Sequence, residues 1–325
     1  MRELSYIEAA REALAEEMAR DPAIFVVGEG IGKRGGNFST TVGLFDLYGP
    51  ERLRDTPISE RGFTTMCVGA AAAGARPVVD CMFVDFALDA ISDLVNQASK
   101  MRWMSGGRVG VPIIVRACMG IFSSGAAHHS GSYYSFFAHI PGIRVVLPSS
   151  PMDVKGLLKT ALRSPDPVVF LEHRALLSLK GPVPEGEYAI PFGEAAIVRE
   201  GSDVTVVAIS AMVPRCVEAA LALEGEGVSV EIIDPRTVAP LDIGAIRRSV
   251  GKTGRLLIVE EDYAPCSVAS EIAARVGDES FDDLDAPIRR LHCGFAPAPY
   301  GPALEKALVI SVDSIIRGVR ELRAE

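Results

Sequence analysis

Short apolar runs alternate with segments of helical period along the whole chain. An apolar run bounded by turn residues predicts a buried strand, and apolar residues that recur at i, i+3 and i+4 predict a helix. Strands that alternate with helices are typical of a parallel sheet covered by helices on both faces. We therefore expect an α/β fold, with strands at residues 24–27, 77–82, 113–116, 144–147 and 168–172, and in the second half at 204–209, 229–233 and 256–259.

The first predicted helix has a clear start signal. Ser5 is followed three residues later by Glu8, which is the capping-box pattern, and the helical period ends before Pro22. The apolar period predicts further helices at 86–104, 133–139, 152–162, 214–224, 267–276 and 310–322.

A chain of 325 residues exceeds most single hydrophobic cores, which favours two domains. Residues 177–191 are rich in proline and glycine and have weak periodicity, as is typical of a linker. We place the domain boundary near residue 190, so that the predicted domains are residues 1–190 and 191–325.

The charge balance excludes one class of partner. The chain has 33 Lys and Arg against 42 Asp and Glu, a net charge of −9, so it offers no basic face for a nucleic acid. Six scattered cysteines without a Cys-x-x-Cys pair predict neither a zinc knuckle nor a disulfide framework, and favour a reducing cytoplasm. No apolar run approaches the roughly 20 residues of a membrane span.

Residues 55–63 read Asp-Thr-Pro-Ile-Ser-Glu-Arg-Gly-Phe and predict a strand-to-helix turn. Pro57 lacks an amide proton and restrains Thr56 to extended geometry, so a strand should stop here, and the small residues at 69–74 suggest a close-packed helix afterwards. Glu60 then lies at the carboxyl end of a strand, where open parallel sheets bind ligands, and is a candidate acid, base or cofactor-binding group. The alternative is a solvated glutamate at a helix start.

Gly30, Gly32 and Gly35 match the G-x-G-x-x-G dinucleotide signature after a strand. The next residues, Gly-Asn-Phe-Ser-Thr-Thr, are a poor helix start, so no helix N-terminus is available to a phosphate. We interpret the segment as a loop. A nucleotide-dependent oxidoreductase is the alternative that would need it to bind NAD.

His128 and His129 are neighbours in a loop rich in glycine and serine at residues 120–131, which we expect to be mobile and functional. Adjacent side chains diverge and do not readily bind one metal ion. A histidine on such a loop can act as a general acid, or the pair can lie at the surface bonded to backbone. Phe86 either packs in the core or offers a flat face to a heteroaromatic ring.

Several motifs occur in the order of one known family. They are residues 55–60, Met104-Ser-Gly-Gly, Ala127-His-His-Ser, Phe137-Ala-His-Ile-Pro-Gly-Ile, Pro148 followed by Lys155-Gly-Leu-Leu, and Asp234-Pro-Arg-Thr. Together they resemble the beta subunit of the thiamine diphosphate-dependent E1 component of 2-oxo acid dehydrogenase complexes, from Arg2 to Arg323. The sequences of these motifs are most similar to those of acetoin and pyruvate dehydrogenase beta subunits. The resemblance implies a transketolase-like pyrimidine-binding domain followed by a transketolase C-terminal domain.

The resemblance also implies roles for single residues. Glu60 matches the glutamate that hydrogen-bonds a pyrimidine nitrogen of thiamine and promotes the imino tautomer, whose nitrogen deprotonates the thiazolium carbon. Phe86 matches the aromatic residue that packs on the pyrimidine, Ile58 lies beside it, and Glu29 matches an acid linked to Glu60. His129 matches the histidine that faces the substrate and the lipoyl group.

A structural potassium ion is implied at backbone carbonyls in some members of the family. The matching residues here are Ile113, Ala161, Leu162, Ser164 and Asp166.

The chain lacks the motifs that hold the diphosphate through magnesium, Gly-Asp-Gly and Asn-Asn, which belong to the alpha subunit in this family. The resemblance therefore implies an α2β2 heterotetramer in which thiamine diphosphate is shared and the alpha subunit holds magnesium. It implies oxidative decarboxylation of a 2-oxo acid, with acyl transfer to lipoyl-lysine of an acyltransferase.

The chain departs from the family pattern at four places, of which the first three are expected close to the substrate or cofactor. Gly30 replaces an acid, His128 stands where glutamine is common, Gly131 replaces the glutamine after His-Ser, and residues 264–270 lack a glycine-rich turn. Two further alternatives are a split transketolase-like carboligase, which would transfer a ketol group without lipoate, and a non-catalytic assembly subunit.

Overall fold

The computed structural model describes residues 1–325 and divides into two compact units. The first unit comprises Met1–Gly120 and His128–Phe192, and the second comprises Ile121–Ala127 and Gly193–Glu325. Both units are built on a mainly parallel sheet with helices, which confirms the predicted α/β class. None of the helices combines the length and the apolar character needed to cross a membrane.

The first unit contains a parallel sheet with the strand order β6-β7-β5-β4-β2-β3. Two more strands, β1 and β8, pair antiparallel as a separate ribbon. The strands are β1 (Arg2–Ser5), β2 (Ile24–Gly28), β3 (Leu53–Asp55), β4 (Arg76–Phe83), β5 (Ile114–Met119), β6 (Arg144–Val146), β7 (Val168–His173) and β8 (Lys180–Val183). β8 therefore lies inside the segment predicted as a linker.

The helices of the first unit connect these strands. They are α1 (Tyr6–Arg20), α2 (Leu44–Tyr48), α3 (Glu60–Ala72), α4 (Val84–Ala87), α5 (Ser99–Met104), α6 (Tyr134–Ala138) and α7 (Pro151–Arg163). The predicted capping box is confirmed, because the Glu8 N–H donates to Ser5 Oγ at 3.3 Å and the Ser5 N–H donates to Glu8 Oε2 at 2.8 Å.

The single helix predicted at 86–104 is wrong. The structure divides it into α4, a 3-10 turn at Leu88–Ala90, a π-helical turn at Asp93–Ala98, and α5. Ser99 Oγ donates to the Val95 carbonyl at 2.7 Å, and such a bond from a serine to a carbonyl four residues earlier bends a helix. Apolar spacing alone did not reveal this break.

The second unit has the strand order β14-β13-β10-β11-β9, in which only β9 is antiparallel to its neighbour. Its strands are β9 (Ala196–Arg199), β10 (Val204–Ala208), β11 (Val230–Asp234), β12 (Thr237–Ala239), β13 (Leu256–Val259) and β14 (Arg289–Leu291). Its helices are α8 (Met212–Glu224), α9 (Ile243–Thr253), α10 (Val268–Glu279), α11 (Pro302–Leu308) and α12 (Val312–Ala324). The sequence reasoning missed β9, β12, β14, α9 and α11.

Candidate active site

Three neighbouring strands of the first unit end at one edge of the sheet. Gly28 at the end of β2 is in register with Asp55 of β3 and with Asp80 of β4. Side chains that follow these strands therefore gather at the carboxyl edge, where open parallel sheets bind ligands. Glu29 follows β2, and Glu60 follows β3 as the first residue of α3, as Pro57 predicts.

Glu60 belongs to a group of carboxylates at this edge. Its side chain is buried, with 8% of its surface exposed. The pKa of Glu29 is raised by burial, by the negative charge of Glu60 and by that of Asp80. The structure therefore brings Glu29 and Glu60 together, with Asp80 as a third acid that sequence reasoning did not single out.

Asp80 is fixed by the strand end and by a loop. Its carboxylate accepts hydrogen bonds from the Met82 N–H at 3.0 Å and from Thr40 Oγ1 at 3.3 Å. Burial raises the pKa of Asp80, while the positive charge of Arg116 and these hydrogen bonds oppose the rise. An acid within an otherwise apolar strand was the signal that could have identified it.

Aromatic rings form a second group on the elements that follow β4. The Phe86 ring in α4 lies edge-on to Phe83, with 6.0 Å between centroids. Phe83 in turn lies 5.4 Å from Phe38. Helix α3 packs against both β4 and α4, so the aromatic group and the Glu60 group share the same supporting elements.

His129 joins this aromatic group. Its imidazole lies 4.7 Å from the ring centroid of Phe83 and 5.3 Å from that of Phe86. The Arg174 guanidinium donates to the His129 carbonyl at 3.3 Å, which anchors the loop backbone. The neighbouring His128 is exposed, whereas His129 is half-buried.

Ile58 does not join either group. Its side chain is 83% exposed, so the structure leaves it at the surface of this chain.

The glycine-rich segment after β2 is a loop, as interpreted from the sequence. No helix begins until α2 at Leu44, and the Gly32 N–H donates to Asp55 Oδ1 at 2.9 Å. A side chain at Gly32 would overlap the Asp55 carboxylate, so this glycine permits a close approach between two strand ends.

The loop at residues 120–131 begins and ends at a backbone hydrogen bond. The Gly120 N–H donates to the Gly131 carbonyl at 2.9 Å. Gly120 has a φ of +94°, and a side chain there would overlap the His173 imidazole. Within the second unit, the Ile121 N–H donates to Glu261 Oε1 at 2.7 Å.

The five carbonyls implied as potassium ligands already accept hydrogen bonds. The Arg76 guanidinium donates to the Leu162 carbonyl at 2.7 and 2.9 Å and to the Ser164 carbonyl at 2.7 Å. The Ile113 carbonyl accepts a hydrogen bond from the Val168 N–H, and the Ala161 carbonyl accepts one from the Ser164 N–H. The Asp166 carbonyl accepts one from Ser164 Oγ. A guanidinium at this cluster repels a second cation, so these residues fit a potassium ion poorly.

Family profiles match both units of the chain. The transketolase pyrimidine-binding domain matches residues 2–180, and the transketolase C-terminal domain matches residues 193–315. A solved structure of a split-gene transketolase, described as an inactive beta4 tetramer, superposes with a TM-score of 0.81 over 99% of this chain and 98% of its own. At an identity of 21%, this superposition shows a shared fold.

Curated proteins are similar over nearly the whole chain. The chain is 43% identical to the pyruvate dehydrogenase E1 component subunit beta-2 of Oryza sativa, covering 98% of this chain and 86% of the relative. It is also 43% identical to the 2-oxoisovalerate dehydrogenase subunit beta of Bacillus subtilis, covering 98% of both. The acetoin:2,6-dichlorophenolindophenol oxidoreductase subunit beta of Cupriavidus necator is 43% identical, covering 98% of this chain and 97% of the relative.

Proposed function

We propose, because this chain belongs to the transketolase-type family of 2-oxo acid dehydrogenase E1 beta subunits, that it supplies the pyrimidine-binding half of a thiamine diphosphate-dependent active site. The observation that carries the proposal is the buried Glu60 at the start of α3, close enough to Glu29 to raise its pKa. The reaction is oxidative decarboxylation of a 2-oxo acid, with transfer of the acyl group to a lipoyl-lysine.

The residues of the first unit fit the pyrimidine ring of thiamine. The half-buried Phe86 and His129 offer aromatic surface, against which a flat heteroaromatic ring packs favourably. The hydroxyls of Thr56, Ser130 and Ser132 are buried without a hydrogen-bond partner. A buried unsatisfied hydroxyl costs about 1–3 kcal/mol, which a polar ligand would offset.

When bound, thiamine diphosphate supplies the carbon nucleophile and the electron sink that decarboxylation requires. The Glu60 side chain would hold the pyrimidine ring by a hydrogen bond to a ring nitrogen and would share the proton of that bond. The pKa of Glu29 is raised, so this carboxyl group takes up a proton more readily than a free glutamate, and uptake of that proton would reduce the repulsion between the two acids. The His129 imidazole donates a proton to a dithiolane sulfur of the lipoyl group and acts as a base when the acyl group leaves.

The partner is an alpha subunit in an α2β2 heterotetramer. This chain lacks the Gly-Asp-Gly and Asn-Asn motifs, so the alpha subunit holds magnesium and the diphosphate. A lipoyl-bearing acyltransferase takes the acyl group. None of the six cysteines forms a disulfide, which suits a reducing cytoplasm.

Reconstitution tests this proposal. The chain would be purified alone and with its alpha subunit, and each sample assayed with thiamine diphosphate and magnesium for the reduction of 2,6-dichlorophenolindophenol. The substrates are pyruvate, 3-methyl-2-oxobutanoate and acetoin, the class that the similar proteins suggest. We expect turnover of at least one substrate by the complex and none by the folded chain alone. Decarboxylation by the chain alone would overturn the split site, and ketol transfer without lipoate would favour a carboligase.

A further inference from the structure

Gly131 lies where the structure leaves no room for a side chain. A Cβ atom at this position would overlap the ring of Tyr133 and would lie 2.8 Å from Asp85 Oδ1. The ring of Tyr133 therefore occupies the space that a side chain at residue 131 would need. The position of the Tyr133 ring therefore requires a residue without a side chain at 131.

The Asp85 carboxylate is fixed by the same segment. It accepts a hydrogen bond from the Gly131 N–H at 3.3 Å and another from the Tyr133 hydroxyl. Asp85 belongs to α4, whereas Gly131 and Tyr133 lie before α6. These two bonds therefore tie α4 to the segment that carries His129.

His129 lies within the electrostatic reach of Asp85. Burial raises the pKa of Asp85, and the bond from Gly131, the charge of His129 and the Tyr133 hydroxyl oppose that rise. The rings of Phe83 and Phe86 also contact the imidazole. One cation is near as well, because the Arg174 guanidinium donates to the His129 carbonyl and lies 5.3 Å from the centroid of the Phe83 ring. A carboxylate held by two donors is thus available to attract the protonated imidazole.

We propose that Asp85 and Tyr133 are positioning residues for His129, and that Gly131 makes room for the Tyr133 ring that holds the Asp85 carboxylate. Tyr133 fixes Asp85 through its hydroxyl. Asp85 in turn holds the Gly131 backbone, two residues after His129, against α4, whose Phe86 ring contacts the imidazole, and its charge attracts that imidazole. This inference rests on the proposed function, because it assigns the three residues to the acyl-transfer step of that site.

Three variants separate the contributions. Asp85→Asn removes the charge and keeps the shape, Tyr133→Phe removes the hydroxyl and keeps the ring, and Gly131→Ala displaces the ring. Tyr188→Phe is the matched control, because it deletes a tyrosine hydroxyl that donates to the Met152 carbonyl at 3.0 Å in another part of the first unit.

The first measurement needs no activity. In the full chain with labelled histidine, the His129 ring resonance is shifted by the ring currents of its aromatic neighbours, and His129→Ala assigns it. We expect Asp85→Asn and Tyr133→Phe to move this resonance toward its free-imidazole position, with the unfolding temperature of Tyr133→Phe equal to that of Tyr188→Phe. An unmoved resonance in both variants would overturn the positioning role.

The second measurement uses the complex with its alpha subunit. We expect Asp85→Asn to lower kcat for lipoyl-domain acylation roughly 10- to 100-fold, as for a displaced catalytic group, while turnover with the artificial acceptor is kept. Tyr133→Phe should lower the same kcat roughly 2- to 10-fold, which corresponds to the loss of one hydrogen bond. Adding Tyr133→Phe to Gly131→Ala should not lower this kcat further, because the alanine has already displaced the Tyr133 ring.

The two readouts keep the failures distinct. A wild-type complex without thiamine-dependent turnover, in which the His129 resonance still responds to Asp85→Asn, would refute the proposed function and leave the positioning role standing. If the wild-type complex is active and Asp85→Asn lowers lipoyl-domain acylation and artificial-acceptor turnover equally, the positioning role alone is refuted.

Discussion

The imidazole of His129 lies edge-on to the ring of Phe86, with 5.3 Å between the centroids and 88° between the planes. The two residues come from different connections of the first unit, since Phe86 follows β4 and His129 follows β5. Their contact joins a ring suited to packing on a pyrimidine to a group suited to proton transfer.

Glu60→Gln should nearly abolish activity of the complex while leaving assembly intact, because an amide cannot share the proton that the carboxylate holds. The expected loss is on the order of 100- to 10,000-fold, as for other acid and base groups. The measurement is kcat for thiamine-dependent reduction of an artificial acceptor. Glu271→Gln is the matched control, since it also removes a charge in the first turn of a helix, at an exposed position of α10. Activity of Glu60→Gln within a few fold of the control would contradict the role.

His129→Ala should impair lipoyl acylation more than thiamine binding, whereas His128→Ala should be milder. The reason is their placement, since the His129 ring contacts Phe83 and Phe86 while His128 is exposed. The comparison is lipoyl-domain acylation against artificial-acceptor turnover in both variants. Intact acylation in His129→Ala, or greater damage in His128→Ala, would show that the assignment is wrong.

The position of Glu60 could be predicted because local rules determine it. Pro57 marks the end of β3, a small-residue helix follows, and parallel strands bring their carboxyl ends to one edge. The similar proteins confirm the family, and the tasks proposed for these residues come from the resemblance, which does not give their contacts.

Other parts of the site could not be predicted, because they depend on partners distant in the sequence. Asp80 acquires its environment from Thr40 and Arg116, and Gly131 from Tyr133 and Asp85. Neither relation leaves a periodic signal in the chain. The sequence similarly gives no reason to expect an exposed Ile58, because the exposure of one side chain depends on the packing of its neighbours in space.

Glu29→Gln should stabilise the chain at neutral pH. The folded-state pKa of Glu29 is raised by burial and by Glu60 and Asp80, so the folded state binds this proton more tightly than the unfolded state. Glu29 therefore disfavours folding once the pH rises above its unfolded pKa, and the penalty is complete above its folded pKa. Unfolding temperatures of both proteins between pH 4 and pH 8 are the measurement, with the advantage of the variant expected to grow as the pH rises. A variant less stable than wild type at pH 8 would contradict the assigned repulsion.

Potassium should not stabilise the wild-type chain relative to sodium, because Arg76 already provides positive charge to the Leu162 and Ser164 carbonyls. Arg76→Met should remove three charge-assisted hydrogen bonds and lower the unfolding free energy by about 3 kcal/mol, since each such bond contributes about 1.5–3 kcal/mol and the three are not additive. The freed carbonyls are ligands suited to a monovalent cation, so potassium should restore part of the loss in the variant. Arg108→Met is the control, because the exposed Arg108 donates to the single carbonyl of Ser105 at 2.9 Å. Unfolding temperatures in potassium, sodium and choline chloride at equal ionic strength are the measurement. A potassium-specific rise in the wild-type unfolding temperature would show that an ion binds despite the guanidinium, and that the carbonyls serve both cations.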